Sequence, residues 1–342
     1  MKIFLKIILL FILVSCSLRD IKTSKYARIN DQDQYENNYI RYDKKSTKLT
    51  KFFSFFLKNI FDPPDKKKFE IMDINKQIYK KEKSLLTWAG HSTFLFQKEN
   101  VNILIDPQFS LRASPFSSIG PRRYIPSIFN EDNLPRIDIV AISHNHYDHL
   151  DIRSLKIIYE KNPNVFFLVP LGDKKLLIQN GIKNVKEFDW WEDYKIGGIN
   201  LTFTPVQHWS KRTFFDKNKS LWGGWWIKSN NFKFLHLGDT GYTKDFLDIK
   251  KRLGKPDLVA IPIGAYKPRD IMKYNHINPE EAVKTLIDLE AKKAVAMHWG
   301  TFILSQEAVD EPVNEVKKNL KTFGINEERF LILKHGETIK LN

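Results

Sequence analysis

The chain has 342 residues, 42% hydrophobic and 28% charged. This excludes a collagen-like or wholly disordered polymer and allows one large domain or two modest ones, each with a full core. A single cysteine excludes an internal disulfide framework. With 55 Lys or Arg against 40 Asp or Glu, the formal net charge is +15, a balance open to a nucleic-acid partner, an anionic membrane surface or a lysine-rich coding bias.

The first elements concern targeting. Lys2 and Lys6 precede an unbroken apolar stretch from Ile7 to Val14. It is too short to span a bilayer as a helix, which takes about 20 apolar residues, and it fits the apolar region of a secretory signal. The stretch ends in Leu13-Val14-Ser15-Cys16, which resembles a bacterial lipobox. The resemblance implies removal of residues 1–15, lipidation of Cys16, and export to a bacterial cell-envelope membrane, periplasmic or outer face. An uncleaved anchor, or a plain signal with a chance cysteine, is the other reading.

Residues 16–83 then read as a basic tether. Residues 17–83 hold 17 Lys or Arg against 10 Asp or Glu, and residues 17 to about 50 lack apolar periodicity. Such charge beneath a lipid-modified cysteine favours anionic headgroups, at about 1 kcal/mol per nearby Lys or Arg. Within this stretch Phe52, Phe53, Phe56, Leu57, Ile60 and Phe61 share one face at helical spacing, and Asp62-Pro63-Pro64 stops the helix. That face either dips into lipid or docks on the main domain.

Residues 84–342 read as one domain. Strand-like runs come at Leu85–Trp88, Phe94–Gln97, Val101–Ile105, Ile137–Ser143, Val165–Val169, Leu201–Val206, Trp225–Lys228, Phe232–Leu237, Leu258–Pro262 and Lys293–His298. Helical patterns come at Ile152–Lys161, Asp173–Asn180, Pro279–Leu289 and about Glu307–Phe323. Hairpins first and strand–helix alternation later predict an α/β protein, a four-layer α/β/β/α sandwich.

The histidines carry the chemistry. Ser143-His144-Asn145-His146-Tyr147-Asp148-His149 follows the apolar run from Ile137 to Ile142. Imidazoles and a carboxylate this dense are poor surface and poor core, and they are zinc-ligand types. His208, Asp239 and His298 each follow an apolar strand and precede a turn, where ligands gather in open sheets. Together these seven residues suit two metals sharing a carboxylate.

The His-x-His-x-Asp-His cluster with the later His, Asp and His resembles the metallo-β-lactamase superfamily. Trp88-Ala-Gly-His-Ser-Thr-Phe94, Leu104-Ile-Asp-Pro107, Gly238-Asp-Thr-Gly-Tyr242, Met272 to Ala282 and His298-Trp-Gly-Thr-Phe302 resemble its N-acylphosphatidylethanolamine-hydrolysing phospholipase D group, over about residues 84–320. The resemblance implies two Zn²⁺ per chain, one held by His144, His146 and His208, the other by Asp148, His149 and His298, with Asp239 bridging. It implies a hydroxide shared by the metals, oriented by Asp148 and attacking a phospholipid diester whose phosphate His276 would bind. His276 can equally be structural, because Asn278-Pro279-Glu280-Glu281 is a plausible helix start. His91 and Asp106 match family blocks and would support the ligands; His236 and His335 read as structural.

Three other functions stay open. One is a different hydrolase of the superfamily, a lactonase or β-lactam hydrolase. Another is a surface lipoprotein without turnover, which the intact ligand set argues against. The third is nucleic-acid binding, against which the export signal and the absence of a concentrated Arg-rich patch weigh. No interface periodicity indicates an oligomeric state.

Overall fold

The computed structural model describes residues 24–39, 63–65, 67–73, 76–80 and 84–341. The signal, Cys16 and the aromatic run 52–61 lie outside these residues. Two short strands, β1 (Arg28–Ile29) and β2 (Tyr35–Glu36), pair antiparallel and bring Ala27 and Tyr35 into the main core. Residues 24–39, read from sequence as part of a tether, thus pack on the main domain. The segment is fixed mainly by polar contacts distant in sequence: Oδ2 of Asp189 accepts from Ser24 Oγ and from the N–H groups of Lys25 and Tyr26 at 2.6–3.0 Å.

The first sheet is built from β3 (Leu85–Trp88), β4 (Phe94–Lys98), β5 (Val101–Ile105), β6 (Ile139–Ala141), β7 (Phe166–Pro170) and β8 (Val185–Phe188). Helix α1 (Ile152–Lys161) connects β6 to β7, and α2 (Lys174–Gln179) connects β7 to β8. Asp151 caps α1, its carboxylate accepting from the N–H groups of Arg153 and Ser154. The second sheet holds β9 (Asp193–Ile196), β10 (Ile199–Thr204), β11 (Gly224–Lys228), β12 (Lys233–His236), β13 (Leu258–Pro262), β14 (Lys293–Met297) and β15 (Phe330–Leu331). Its helices are α3 (Asp245–Leu253), α4 (Arg269–Met272), α5 (Pro279–Asp288) and α6 (Glu311–Thr322). The chain then returns to the first sheet through β16 (Thr338–Lys340), which pairs with β3.

Both sheets have seven strands, in the orders β16-β3-β4-β5-β6-β7-β8 and β15-β14-β13-β12-β11-β10-β9. In each, one half is antiparallel and the other parallel. The first sheet is buried on both faces, so its strands are nearly all apolar while alternate residues enter different cores. Phe94, Phe96, Ile103, Ile105, Ile139 and Ala141 face the core shared with the second sheet. Leu95, Leu104, Val140 and Val169 face the core under α1 and α2. Ala282, Val283, Leu286, Val316 and Leu320 of α5 and α6 pack on the second sheet. The result is the α/β/β/α sandwich.

The layers are joined at the edge where the parallel strands end. Trp225 Nε1 of β11 donates to the Ile142 carbonyl at 2.9 Å, and the Gly223 N–H donates to the Ser143 carbonyl at 2.9 Å. These bonds bring the carboxyl ends of β5, β6, β12, β13 and β14 to one rim.

Candidate metal centre

Every candidate ligand, like the supporting Asp106, leaves a strand at that rim. Asp106 follows β5; His144, His146, Asp148 and His149 follow β6; His208 follows β10; Asp239 follows β12; His298 follows β14. Tight backbone geometry shapes three of the turns around the site. His91, Asp106 and His298 have φ of 51°, 44° and 59°, left-handed values uncommon for non-glycine residues and frequent at functional sites. At Gly264, a Cβ would lie 2.2 Å from the His298 carbonyl oxygen, so only glycine lets the loop after β13 pass there.

Hydrogen bonds assign the imidazole tautomers. Oδ2 of Asp106 lies 2.8 Å from Nδ1 of His149 and 2.6 Å from Oγ of Ser143. A carboxylate only accepts, so both groups donate to it. The Ser143 hydroxyl has then spent its proton, and Nδ1 of His144, 3.0 Å from that oxygen, donates to it. Nδ1 of His208 donates to the Asn275 carbonyl at 2.9 Å. Each ring is left with its Nε2 lone pair facing the cluster.

The donors converge in two groups. Nδ1 of His146 lies 2.8 Å from Nε2 of His144 and 3.2 Å from Nε2 of His208. In the second group Nε2 of His149 and Nε2 of His298 lie 3.5 and 3.4 Å from Oδ2 of Asp148. The same two nitrogens lie 3.3 and 3.1 Å from Oδ2 of Asp239. That oxygen is also 3.9 Å from Nε2 of His144 and 3.8 Å from Nε2 of His208, which puts it between the groups. Metal–ligand bonds of about 2.0–2.1 Å in a tetrahedron leave ligand atoms about 3.3 Å apart, so the spacings fit metal coordination. Within the cluster, buried His149 Nε2, His298 Nε2, His146 Nε2, His276 Nδ1 and Asp239 Oδ1 have no hydrogen-bond partner among the described residues, a costly state for buried polar atoms without a ligand.

Electrostatics agree with that fit. Burial keeps His144 well below the ordinary imidazole range and lowers His146 to about 4 and His208 to about 3. Burial also opposes charge on His149 and His298, yet Asp239 and Asp148 beside them raise His149 well above its usual value and His298 to about 9. Burial likewise disfavours charge on Asp148 and Asp239, but the surrounding imidazoles hold both well below the usual carboxylate range. The two carboxylates call for positive charge at the centre of the cluster.

The structure therefore brings His144, His146, Asp148, His149, His208, Asp239 and His298 together. His276 joins them: its Nδ1 is 3.9 Å from Oδ2 of Asp239, and burial lowers it to about 3. The structural reading of its neighbours holds as well, since Asn278 and Glu281 form a capping box with Pro279 in the first turn of α5. His91 Nε2 lies 2.9 Å from Oδ2 of Asp148 and supports that carboxylate. His236 stands behind the site, its Nε2 2.9 Å from the Ser92 carbonyl oxygen and its Nδ1 accepting from the Gly238 N–H. Cys16 lies outside the described residues.

Sequence reasoning missed Ser143 as the relay between Asp106 and His144, and it missed Asn37. The Asn37 side chain clamps the His208 peptide, Oδ1 accepting from His208 N and Nδ2 donating to His208 O, both at 3.0 Å. The same Oδ1 accepts from Trp222 Nε1 at 3.0 Å. A cavity of about 510 Å³ opens over the cluster. Asp148, Asp239, His146 and His276 form its floor, and Phe116, Trp209, Phe214, Met272 and Leu304 contribute apolar wall.

The family described as Beta-lactamase superfamily domain matches residues 101–299. A Caenorhabditis elegans protein named N-acyl-phosphatidylethanolamine-hydrolyzing phospholipase D 1 is 38% identical over 272 residues, 75% of this chain and 76% of that protein. A Saccharomyces cerevisiae protein, named the mitochondrial N-acyl-phosphatidylethanolamine-hydrolyzing phospholipase D, is 40% identical over 240 residues, 68% of this chain and 50% of that protein. Among solved structures, a possible metal-dependent hydrolase from Veillonella parvula superposes with a TM-score of 0.62 at 19% identity, covering 76% of this chain and all of that one; this likeness is one of fold.

Proposed function

The chain belongs to the metallo-β-lactamase superfamily, and from that premise we propose that it is a zinc-dependent phosphodiesterase of the phospholipase D type. Its substrates are phosphatidylethanolamine-like membrane phospholipids, N-acylated or not. The observation that carries this reading is the apolar-walled cavity directly above the His/Asp cluster. It can take up a lipid's glyceride or acyl portion while the phosphodiester meets the polar floor. The names of the two relatives above point to the same substrate class.

His144, His146 and His208 would hold one zinc, Asp148, His149 and His298 the other, and Asp239 would touch both. Bound there, the ions supply Lewis-acid polarisation of the phosphodiester and acidify water toward neutral pH. The chain supplies orientation. His91 fixes the Asp148 carboxylate, whose other lone pairs can hold the attacking water in line. His276 Nδ1, buried and without a hydrogen-bond partner among the described residues, can donate to a phosphate oxygen. Trp209, Met272 and Leu304 give the cavity an apolar wall beside that floor.

The test is a phospholipid panel with metal-replete protein in ¹⁸O-labelled water, products identified by mass spectrometry. The expected products are labelled phosphatidic acid and the unlabelled headgroup alcohol. Absence of hydrolysis across the panel, or turnover of lactones or β-lactams instead, would overturn the reading. Export and lipid anchorage through Cys16 belong to the same proposal. A Cys16→Ala variant should lose membrane retention or processing, and unchanged retention and processing would remove the anchor from it.

A further inference from the structure

Two loops beside the cavity carry large apolar side chains into solvent. In the connection between β10 and β11, Phe214 is 87% and Phe215 74% exposed. In the connection between β5 and β6, Ile119 is 68%, Leu111 52% and Phe116 45% exposed. Phe116 from one loop and Phe214 from the other line the same cavity, so the two tips flank one mouth.

These tips are braced. Oδ1 of Asp216 accepts from the N–H groups of Arg212 and Thr213 at 2.9 and 2.8 Å, and the Asn218 N–H donates to the Ser210 carbonyl. The Arg212 guanidinium lies 4.0 Å from the Tyr147 ring centroid and donates to the carbonyls of Asn145 and Leu150 at 2.8 Å. This mounts the Phe214–Phe215 tip on the loop that carries the metal ligands. In the other loop Arg112 donates to the carbonyls of Ser117 and Gly120. A braced loop that still presents its aromatic rings to water is built to display them.

The charge around the tips is mainly positive. Arg112 and Arg122 flank one, Lys211 and Lys217 the other. Residues 108–124 contain no acidic residue, and Asp216, the only one in residues 205–223, is engaged in bracing its own loop. Apolar side chains ringed by Lys and Arg match a lipid surface, whose interior takes the rings while its anionic headgroups meet the cations. A folded partner resting on both tips would cap the mouth between them. A lipid layer resting there leaves the mouth facing lipid.

We propose that the Phe214–Phe215 and Phe116–Ile119 tips dock the open face of this domain on an anionic bilayer, with the cavity mouth against the membrane. The proposal rests on the lipid-substrate reading above and adds to it the residues that deliver the substrate.

The test separates docking from catalysis. In a full-length Cys16→Ser background the chain has no other cysteine, so a Phe215→Cys substitution accepts a single environment-sensitive fluorophore. On metal-loaded protein the probe should shift to the blue with phosphatidylglycerol-containing vesicles, and less with phosphatidylcholine alone. An Ile119→Ser/Phe215→Ser variant should lose vesicle affinity by about tenfold or more. It should keep its rate on a monomeric short-chain phosphodiester. A probe that does not shift, undiminished vesicle affinity in the double variant, or a shift produced by raising protein concentration without vesicles would overturn the proposal; the last result would make the patch a self-association surface. Failure of the phosphodiesterase reading would be visible separately, as absence of hydrolysis of both soluble and vesicle substrates with the probe response intact.

Discussion

Oδ2 of Asp106 sits 2.8 Å from Nδ1 of His149, on the side of the ring away from the cluster. The same carboxylate accepts from the Ser143 N–H at 2.7 Å and from its hydroxyl at 2.6 Å. One buried acid thus sets the tautomer of His149 directly and that of His144 through Ser143. An Asp106→Asn variant keeps the shape, but its amide can put an N–H toward His149. His149 would then keep its proton on Nε2 and lose the lone pair that faces the cluster. Metal affinity should fall about 10–100-fold, measured by competition with a chelator, while circular dichroism stays native. Unchanged affinity would show that the Asp106 contact does not govern the ligand.

Asp239 differs from Asp106 because its Oδ2 faces the cluster, 3.1–3.9 Å from the Nε2 atoms of His298, His149, His208 and His144. Asp239→Asn removes the negative charge shared by both groups of donors. The zinc content should drop below the proposed two per chain, and turnover should fall by more than the roughly 10–100-fold typical of a supporting residue. Elemental analysis after dialysis, paired with the phospholipid assay, reads both quantities. Full metal content with near-normal turnover would remove Asp239 from the bridging position.

Asn37 links the N-terminal segment to the same centre. Asn37→Ala leaves the His208 N–H and carbonyl without their side-chain partner, and unmade buried hydrogen bonds cost about 1–3 kcal/mol. The melting temperature should drop, and the increment gained on adding zinc should shrink, because the loosened peptide carries a ligand. Asn37→Asp keeps the acceptor for the His208 N–H and for Trp222 but loses the donor, so it should fall in between. Equal metal-dependent increments in all three proteins would make the clamp purely structural.

The difference between what sequence reading found and missed has a physical basis. His144, His146, Asp148 and His149 are consecutive on one loop, so their density alone marks them, and β3, β5, β13 and α1 are bounded by clear apolar patterns. β9 was not legible: it is an edge strand with no buried residue along Asp193–Ile196, so no alternation marks it. α3 buries Asp245, Phe246 and Ile249, too narrow a stripe to stand out among its charges. Asn37 acts on a residue 171 positions away, and a polar side chain in a polar segment has no pattern to betray it. Phe214 and Phe215 lie between the strand-like runs that the sequence marks, with no periodicity of their own, and only the folded loop reveals that their rings face water.

His335 gives the fold a pH dependence that can be separated from the metal centre. It is 1% exposed, its ring centroid lies 4.5 Å from that of Trp88, and its Nε2 is 3.2 Å from Thr301 Oγ1. Burial, assisted by the nearby Arg123, lowers its pKa to about 4, against about 6.5 in an unfolded chain. Between these values the unfolded state binds the proton and the folded state does not, so stability falls as the pH drops from about 6.5 to about 4 and is fully present above 6.5. The span corresponds to at most about 3 kcal/mol. His335→Gln preserves a polar group facing Thr301 but cannot titrate. Denaturant unfolding of both proteins at the same metal loading should therefore give a shallower acid decline for the variant, and taking the difference cancels the other buried histidines. Parallel curves from pH 7 to pH 4 would mean that His335 is protonated in the fold as easily as outside it.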